Sequence, residues 1–283
     1  MTIAPLEMAS PPRTIPPVQP EPVLFRITFS KMESFRRCRK QYWFSYVSGE
    51  DWPPSRESPA SLVGNGVHRA MQKLCETGDP RDGEHELDLY LRMPSHAIAG
   101  PDTEHYALAR DIYANGVKAH ESIESEARFA ELDTWVPAKS RGINVRSKVD
   151  RADRLAPDRW QLIDWKTGKF DLDDKVDWQL DIAHLVLRTM MRLPRVASVR
   201  ALGWNLRSGE QRVRELNRDD AVRTVDYIMR FVRTIESTEE WPATPGPACT
   251  FCDWRDRCSE ATQLAEVGID WLDQDWEKES APF

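Results

Sequence analysis

The sequence predicts an α/β sandwich with a mixed sheet flanked by helices. Three observations predict it. Val145 to Leu155 alternates apolar and charged residues, and Trp160 to Trp165 runs apolar and β-prone, with Ala156-Pro157-Asp158-Arg159 as turn chemistry between them. Helical periodicity follows from Asp173 to Met191, with Trp178, Ile182, Leu185 and Val186 on one side. Two further strand-like runs, Val196–Leu206 and Gln211–Leu216, come next around Ser208-Gly209. The resulting order is helices, three strands, helix, two strands, helix.

Each element has a local reason. Residues 1–22 carry seven of the twenty prolines, which marks a disordered or extended tail. Ser30 and Glu33 form a capping box, and the helix after them is expected to reach Tyr46. Met32, Phe35, Tyr42, Trp43 and Tyr46 recur on it at core spacing. Cys38 stands there among Arg36, Arg37, Arg39 and Lys40, a basic cluster that suits phosphate contact and a solvated face equally. Residues 48–59 read as loop. Gly64-Asn65-Gly66-Val67-His68 opens the next helix, which passes Met71 and Leu74 to end near Cys75. Helical patterns cover 84–92 and 103–125, and 126–136 reads as a strand. Asn217 caps a long helix to about Glu236. The last residues, 268–283, hold two tryptophans and five acids against one lysine. Such a segment can pack back on the domain and fray, bind a partner, or shield a basic surface.

Composition bounds the class. The chain has 283 residues, 40% hydrophobic and 30% charged, and is expected to form a single domain from 23 to 267 between its tails. A net charge of −7 argues against bulk coating of nucleic acid but leaves room for a local basic channel. No apolar run is long enough for a membrane helix, and the N-terminus lacks a signal-peptide pattern, so a cytoplasmic location is expected. No Gly-x4-Gly-Lys-Ser/Thr occurs, so no use of ATP is implied.

Two constellations carry chemistry. In the first, Asp150 lies on one predicted strand, and Asp164 and Lys166 on its neighbour. Period two puts Asp164 and Lys166 on one face. Two carboxylates and a lysine at a hairpin suit metal-assisted phosphodiester hydrolysis: the acids hold a hard cation and the lysine offsets charge at phosphate. In the second, Cys249-x2-Cys252-x5-Cys258 has metal-site spacing, and Cys38 is the candidate fourth thiolate. Five cysteines in a cytosolic chain read as ligands or core thiols, Cys75 being the packed one. Four thiolates fit zinc or an iron–sulfur cluster, and spacing does not choose.

Together these pieces resemble the RecB-like branch of the PD-(D/E)XK nuclease superfamily, which has a restriction-endonuclease-like core. The likeness is to its iron–sulfur members: the CRISPR-associated Cas-four exonucleases, their phage relatives and the nuclease domain of AddB. Ser30-Lys31-Met32-x2-Phe35-x2-Cys38-x-Lys40-x-Tyr42 is similar to the family's first-cysteine helix, and Gly64-x3-His68 to its histidine helix. Val149-Asp150-Arg151 and Ile163-Asp164-Trp165-Lys166-Thr167-Gly168 match its active-site strands, and Gln179 its helix glutamine. Departures are Ser147 for a usual glycine, Arg39 for a proline, and Ala183, beside His184, for a tyrosine.

The resemblance implies that His68, Asp150, Asp164 and the Trp165 carbonyl bind Mg²⁺ or Mn²⁺, with Lys166 and Gln179 beside them. It implies Glu126 as a further acid, and a structural [4Fe–4S] cluster on Cys38, Cys249, Cys252 and Cys258, with zinc as the alternative. It implies a subdomain of residues 23–50 and 240–267 around that cluster. The activity implied is a metal-dependent DNA exonuclease acting on single strands or ends. Recombination, repair or CRISPR-adaptation proteins would be its partners. A non-catalytic DNA-binding or adaptor protein of the same fold is the alternative.

Overall fold

The computed structural model describes residues 24–53, 57–169, 172 and 174–266. Both expected tails, 1–22 and 268–283, lie outside the described residues. The described chain begins with a strand too short for alternation to reveal, Phe25–Thr28 (β1). It leads directly into helix Phe29–Arg37 (α1), a break at Cys38, and helix Arg39–Tyr46 (α2). The expected Ser30 cap is therefore displaced: Thr28, still extended at φ −134° and ψ 161°, accepts the Lys31 N–H at 3.1 Å. The expected single helix is also divided. Cys38, extended at φ −159° and ψ 112°, ends α1 and caps α2 with its sulfur, which accepts the Gln41 N–H at 3.4 Å.

Helix Pro59–Thr77 (α3) starts earlier than the glycines suggest, because Ser58 caps it and Pro59 suits the first turn. Gly64 and Gly66 lie inside it. Gly66 lets α4 pack closely, since a Cβ there would meet Leu87 Cδ1 at 3.0 Å. Helices Pro80–Leu91 (α4) and Glu104–Glu121 (α5) follow, the latter capped by Thr103.

Strands Ala127–Ala138 (β2), Ile143–Ala156 (β3) and Arg159–Lys166 (β4) come next, then helix Asp174–Met190 (α6). Strands Ser198–Asn205 (β5) and Gln211–Leu216 (β6) precede helix Arg218–Glu236 (α7), which has a full capping box between Asn217 and Asp220. Helix Ser259–Glu266 (α8) closes the described chain.

Six strands form one mixed sheet. β3 organises it. One edge of β3 pairs with β2 from Ile143 to Arg154. The other edge is shared: β1 takes Ile143–Arg146 in parallel, and β4 takes Arg151–Ala156 antiparallel. Residues 147–150 of that edge are left between the two partners. β5 continues the sheet parallel to β4, and β6 antiparallel to β5.

One core, from α3, α4 and α5, packs on the face of β4 and β5 that carries Ile163, Trp165 and Leu202. On the other face, α6 packs Leu180, Ala183 and Leu187 against Leu162 and Val199. α1, α6 and α7 join around Phe35, Val186 and Val232.

The alternation along β3 slips at Asp150. Val145 and Val149 pack with the α6 side, yet Arg151, another odd position, meets His120 of α5. β2 slips in step: Phe129 and Leu132 share the α6-side core although they are three residues apart. Register is kept, with Leu132 opposite Val149 and Ala130 opposite Arg151. Between them Glu131 has φ 39°, a left-handed conformation unusual for a non-glycine residue. Asp150 keeps the α3 side by ordinary alternation with Lys148, and the matched slip after it carries Arg151 to the same side.

Candidate active site

The gap in the β3 edge is where the predicted acids meet. Past the last β3–β4 pair, Arg151 with Ile163, the two strands diverge. The Trp165 N–H, freed from the ladder, donates instead to Asp150 Oδ2 at 2.8 Å. The other Asp150 oxygen lies 3.3 Å from His68 Nδ1, brought in by α3. Asp164 and Lys166 leave the same face of β4, with Lys166 Nζ 2.7 Å from Asp164 Oδ2. That contact is an ion pair, and among the described residues the buried Oδ2 has no aligned hydrogen-bond donor. Gln179, on the second turn of α6, binds both: its Oε1 accepts from Lys166 Nζ at 2.7 Å and its Nε2 donates to Asp164 Oδ1 at 2.5 Å.

Electrostatics separate the two acids. Burial pushes the Asp164 carboxyl above the usual carboxylate range; Lys166 opposes this and the Asp150 charge adds to it. Burial also acts on Asp150. There the charge and hydrogen bond of His68, the Trp165 N–H and Lys166 outweigh it, and the carboxyl stays below its ordinary value. For His68, burial favours the neutral ring, but Asp150 and Asp164 together hold its pKa up.

These groups line a pocket of about 550 Å³ that opens to solvent. It brings together His68, Asp150, Asp164, Trp165, Lys166 and Gln179. Sequence reasoning missed several of its other residues: Asn65, Arg69, Tyr90, Glu131 and Lys148. Glu131 pairs with Lys148 at 3.0 Å. Its signal was faint, since nothing in a strand pattern marks the one residue that leaves it. Glu126, the acid the resemblance suggested, lies just before β2, where it pairs with Arg154 at 3.3 Å.

The donor chemistry of the pocket, two carboxylates, an imidazole and a backbone carbonyl, fits a hard divalent cation. The buried Asp164 Oδ2 without an aligned donor is the kind of atom such an ion satisfies. As the side chains stand, the acids are turned to His68, Lys166 and Gln179. Among the described residues no three His, Cys, Asp or Glu side chains close on one point.

The cysteines form a second cavity. Cys38, Cys249, Cys252 and Cys258 all line it, with Arg37, Gln41, Phe44, Thr244 and Trp254. All four are free thiols. Cys38 Sγ accepts two backbone N–H groups, from Gln41 and Thr244, each at 3.4 Å. Burial, with Cys249 and Cys38 nearby, raises the Cys252 thiol pKa. Trp254, fully buried, stacks on Phe44 at 5.2 Å and donates its indole N–H to Ser45 at 2.8 Å. Lys40 pairs with Glu260 at 2.6 Å. The last segment is thus fixed to α2 independently of the thiols. Cys75 stands apart, buried on α3.

A sheet whose central strand opens beside two acids and a lysine is a nuclease-like arrangement. The family model for the PD-(D/E)XK nuclease superfamily matches residues 26–259, and the chain belongs to that superfamily. Its members typically use divalent metals such as Mg²⁺. Among solved structures, the chain is similar to a candidate exonuclease from Eubacterium rectale, at 13% identity, 84% of this chain, 87% of that one and a TM-score of 0.46. It is also similar to SSO0001, at 14% identity, 82% of this chain, 93% of that one and a TM-score of 0.33. No curated protein matches it. Among the described residues no helix is long and apolar enough to cross a membrane.

Proposed function

We propose that the protein is a metal-dependent DNA exonuclease acting on single strands or ends. The observation that carries this reading is the open edge of β3, where Asp150, Asp164, His68 and Lys166 share one solvent-open pocket. His68, Asp150, Asp164 and the Trp165 carbonyl would hold Mg²⁺ or Mn²⁺. Such an ion lowers the pKa of a bound water and polarises a phosphate oxygen.

The chain's own residues do the rest. The Trp165 N–H and His68 fix the Asp150 carboxylate. Gln179 holds Lys166 Nζ beside Asp164, so the ammonium faces the space where a phosphate would sit. There it offsets charge that develops on phosphate oxygens during attack. Glu131, opposite Asp150 and paired with Lys148, is a candidate further member of the site.

For the cysteine cavity we favour a [4Fe–4S] cluster over zinc. Four cysteine side chains lining one cavity suit either group, and the family resemblance is what favours the cluster. Anaerobically purified protein should be brown and carry iron; colourless protein with stoichiometric zinc would replace the cluster assignment.

The test of function is product analysis on end-labelled single- and double-stranded DNA with and without Mg²⁺. Mononucleotides or short products released progressively from ends are expected. Internal cuts in circular DNA would make it an endonuclease. DNA binding without cleavage under any divalent metal would favour the adaptor reading.

A further inference from the structure

We propose that single-stranded DNA runs from the pocket across the exposed face of β1–β3 to the aromatic surface beside the cysteine cavity. The proposal rests on the nuclease reading above and extends it to how substrate is held. A continuous series of cations and rings marks the path. It starts at Lys148, which lines the pocket with Asp150 and Asp164. Arg146 follows two residues away on the same face of β3. Its guanidinium lies 5.8 Å from the Trp135 ring, on the paired position of β2. Arg26 of β1 covers the same ring at 4.3 Å. Lys31 Nζ donates to the Arg26 carbonyl at 3.1 Å and lies 4.7 Å from the Tyr46 ring. Tyr46 meets Trp52 at 6.1 Å, and Trp52, 55% exposed, leans on buried Trp254 at the cysteine cavity.

The ordinary alternative is a surface ladder of side-chain pairs. It accounts for Arg146 with Asp133 at 2.6 Å and Lys148 with Glu131. It does not account for Arg26 and Lys31 standing together, where burial and the Arg26 charge both lower the Lys31 pKa. Nor does it account for Trp52 remaining exposed while its neighbours pack. Cations spaced along a strand with aromatic rings between them match a polymer of phosphates and flat bases. The match is to a single strand, because bases already stacked in a duplex offer no face to the exposed Trp52. Asp150 gives the path its entry, since it lies two and four residues from Lys148 and Arg146 and so shares their side of the sheet.

The test compares parent protein with Arg26→Glu/Lys31→Gln and with Trp52→Ala. Binding of labelled oligothymidine of about 20 and about 4 nucleotides is measured without divalent metal across a salt series. Hydrolysis of bis(p-nitrophenyl) phosphate with Mn²⁺ is measured in parallel, and thermal melts confirm folding. The parent should bind the long oligomer more tightly than the short one. Each variant should lose about tenfold in affinity for the long oligomer and little for the short one. The double variant should also show a salt slope shallower by about 0.7 for each phosphate it no longer neutralises. Hydrolysis of the small ester should be unchanged, because neither variant touches the pocket. Parental long-oligomer affinity in both variants would overturn the proposal, as would equally tight binding of duplex of the same length. Failure of the parent to hydrolyse either DNA or the small ester would instead sink the nuclease reading. The binding comparison stands or falls separately.

Discussion

The pocket and the cysteine cavity are built in opposite ways. The pocket acids sit on adjacent strands of one sheet, and the backbone itself places them: Trp165 N–H holds Asp150, and β4 alternation pairs Asp164 with Lys166. The cysteines come from Cys38 near one end and Cys249–Cys258 near the other, and only tertiary packing joins them. A site laid down by a sheet can lose a side chain and keep its frame. A site that joins distant segments is part of the frame. Substitutions in the pocket should therefore separate chemistry from stability, and substitutions around the cavity should not.

The largest effect expected is on activity. Asp150→Ala should lower DNA cleavage by roughly 10³-fold or more, with a melting temperature close to the parent. Parallel loss of fold would break the comparison.

The next tests stability on the cavity side. Trp254→Ala empties a fully buried, stacked position and should cost about 3–5 kcal/mol in denaturant titration. Cys252→Ser should remove bound metal and also lower the melting temperature, because closing so long a loop stabilises by several kcal/mol on the disulfide analogy. A Cys252→Ser protein that keeps its melting temperature but loses its metal would show that Trp254 and the Lys40–Glu260 pair suffice.

A pH series sharpens the contrast from outside both sites. His120, wedged between Arg151 and Arg128, has its pKa pushed down to about 4, chiefly by burial and then by those two charges. His184 is likewise pushed to about 4 by burial and Arg188, and among the described residues neither of its ring nitrogens has a hydrogen-bond partner. Both prefer to be neutral when folded. Their contribution is present above about pH 6.5 and is lost as pH falls towards 4, on the order of a few kcal/mol each. Thermal melts between those pH values should show it, and His184→Phe should flatten part of the slope.

The smallest effect expected is at Gln179. Gln179→Ala frees Lys166 and Asp164 from one another's shared partner and should lower the cleavage rate about tenfold, with little change in stability.

The fold was legible where patterns are long. The β3–β4 hairpin, α6 and the Asn217-capped α7 followed directly from periodicity and caps. β1 was not legible, since four residues cannot show alternation and its partner lies over a hundred residues away. That omission also misplaced the first helix cap, because β1 carries the extended backbone up to Thr28. The residue types at the pocket were legible as Asp150, Asp164 and Lys166. The reason Asp150 meets His68 was not. It depends on the gap that β1 and β4 leave in the β3 edge and on α3 bringing His68 there, which no single-strand pattern encodes. Glu126 drew attention as an upstream acid, whereas the acid facing the pocket is Glu131.

The central claim is that phosphodiester cleavage takes place at the open edge of β3. It is tested most directly by Asp164→Asn, which keeps the shape of the side chain and removes its charge. Parent and variant are compared on end-labelled single-stranded DNA with Mg²⁺, at matched melting temperature and matched metal content of the cysteine cavity. The account predicts that cleavage by the variant falls to background while fold and cavity metal persist. Cleavage by Asp164→Asn at the parental rate would contradict it.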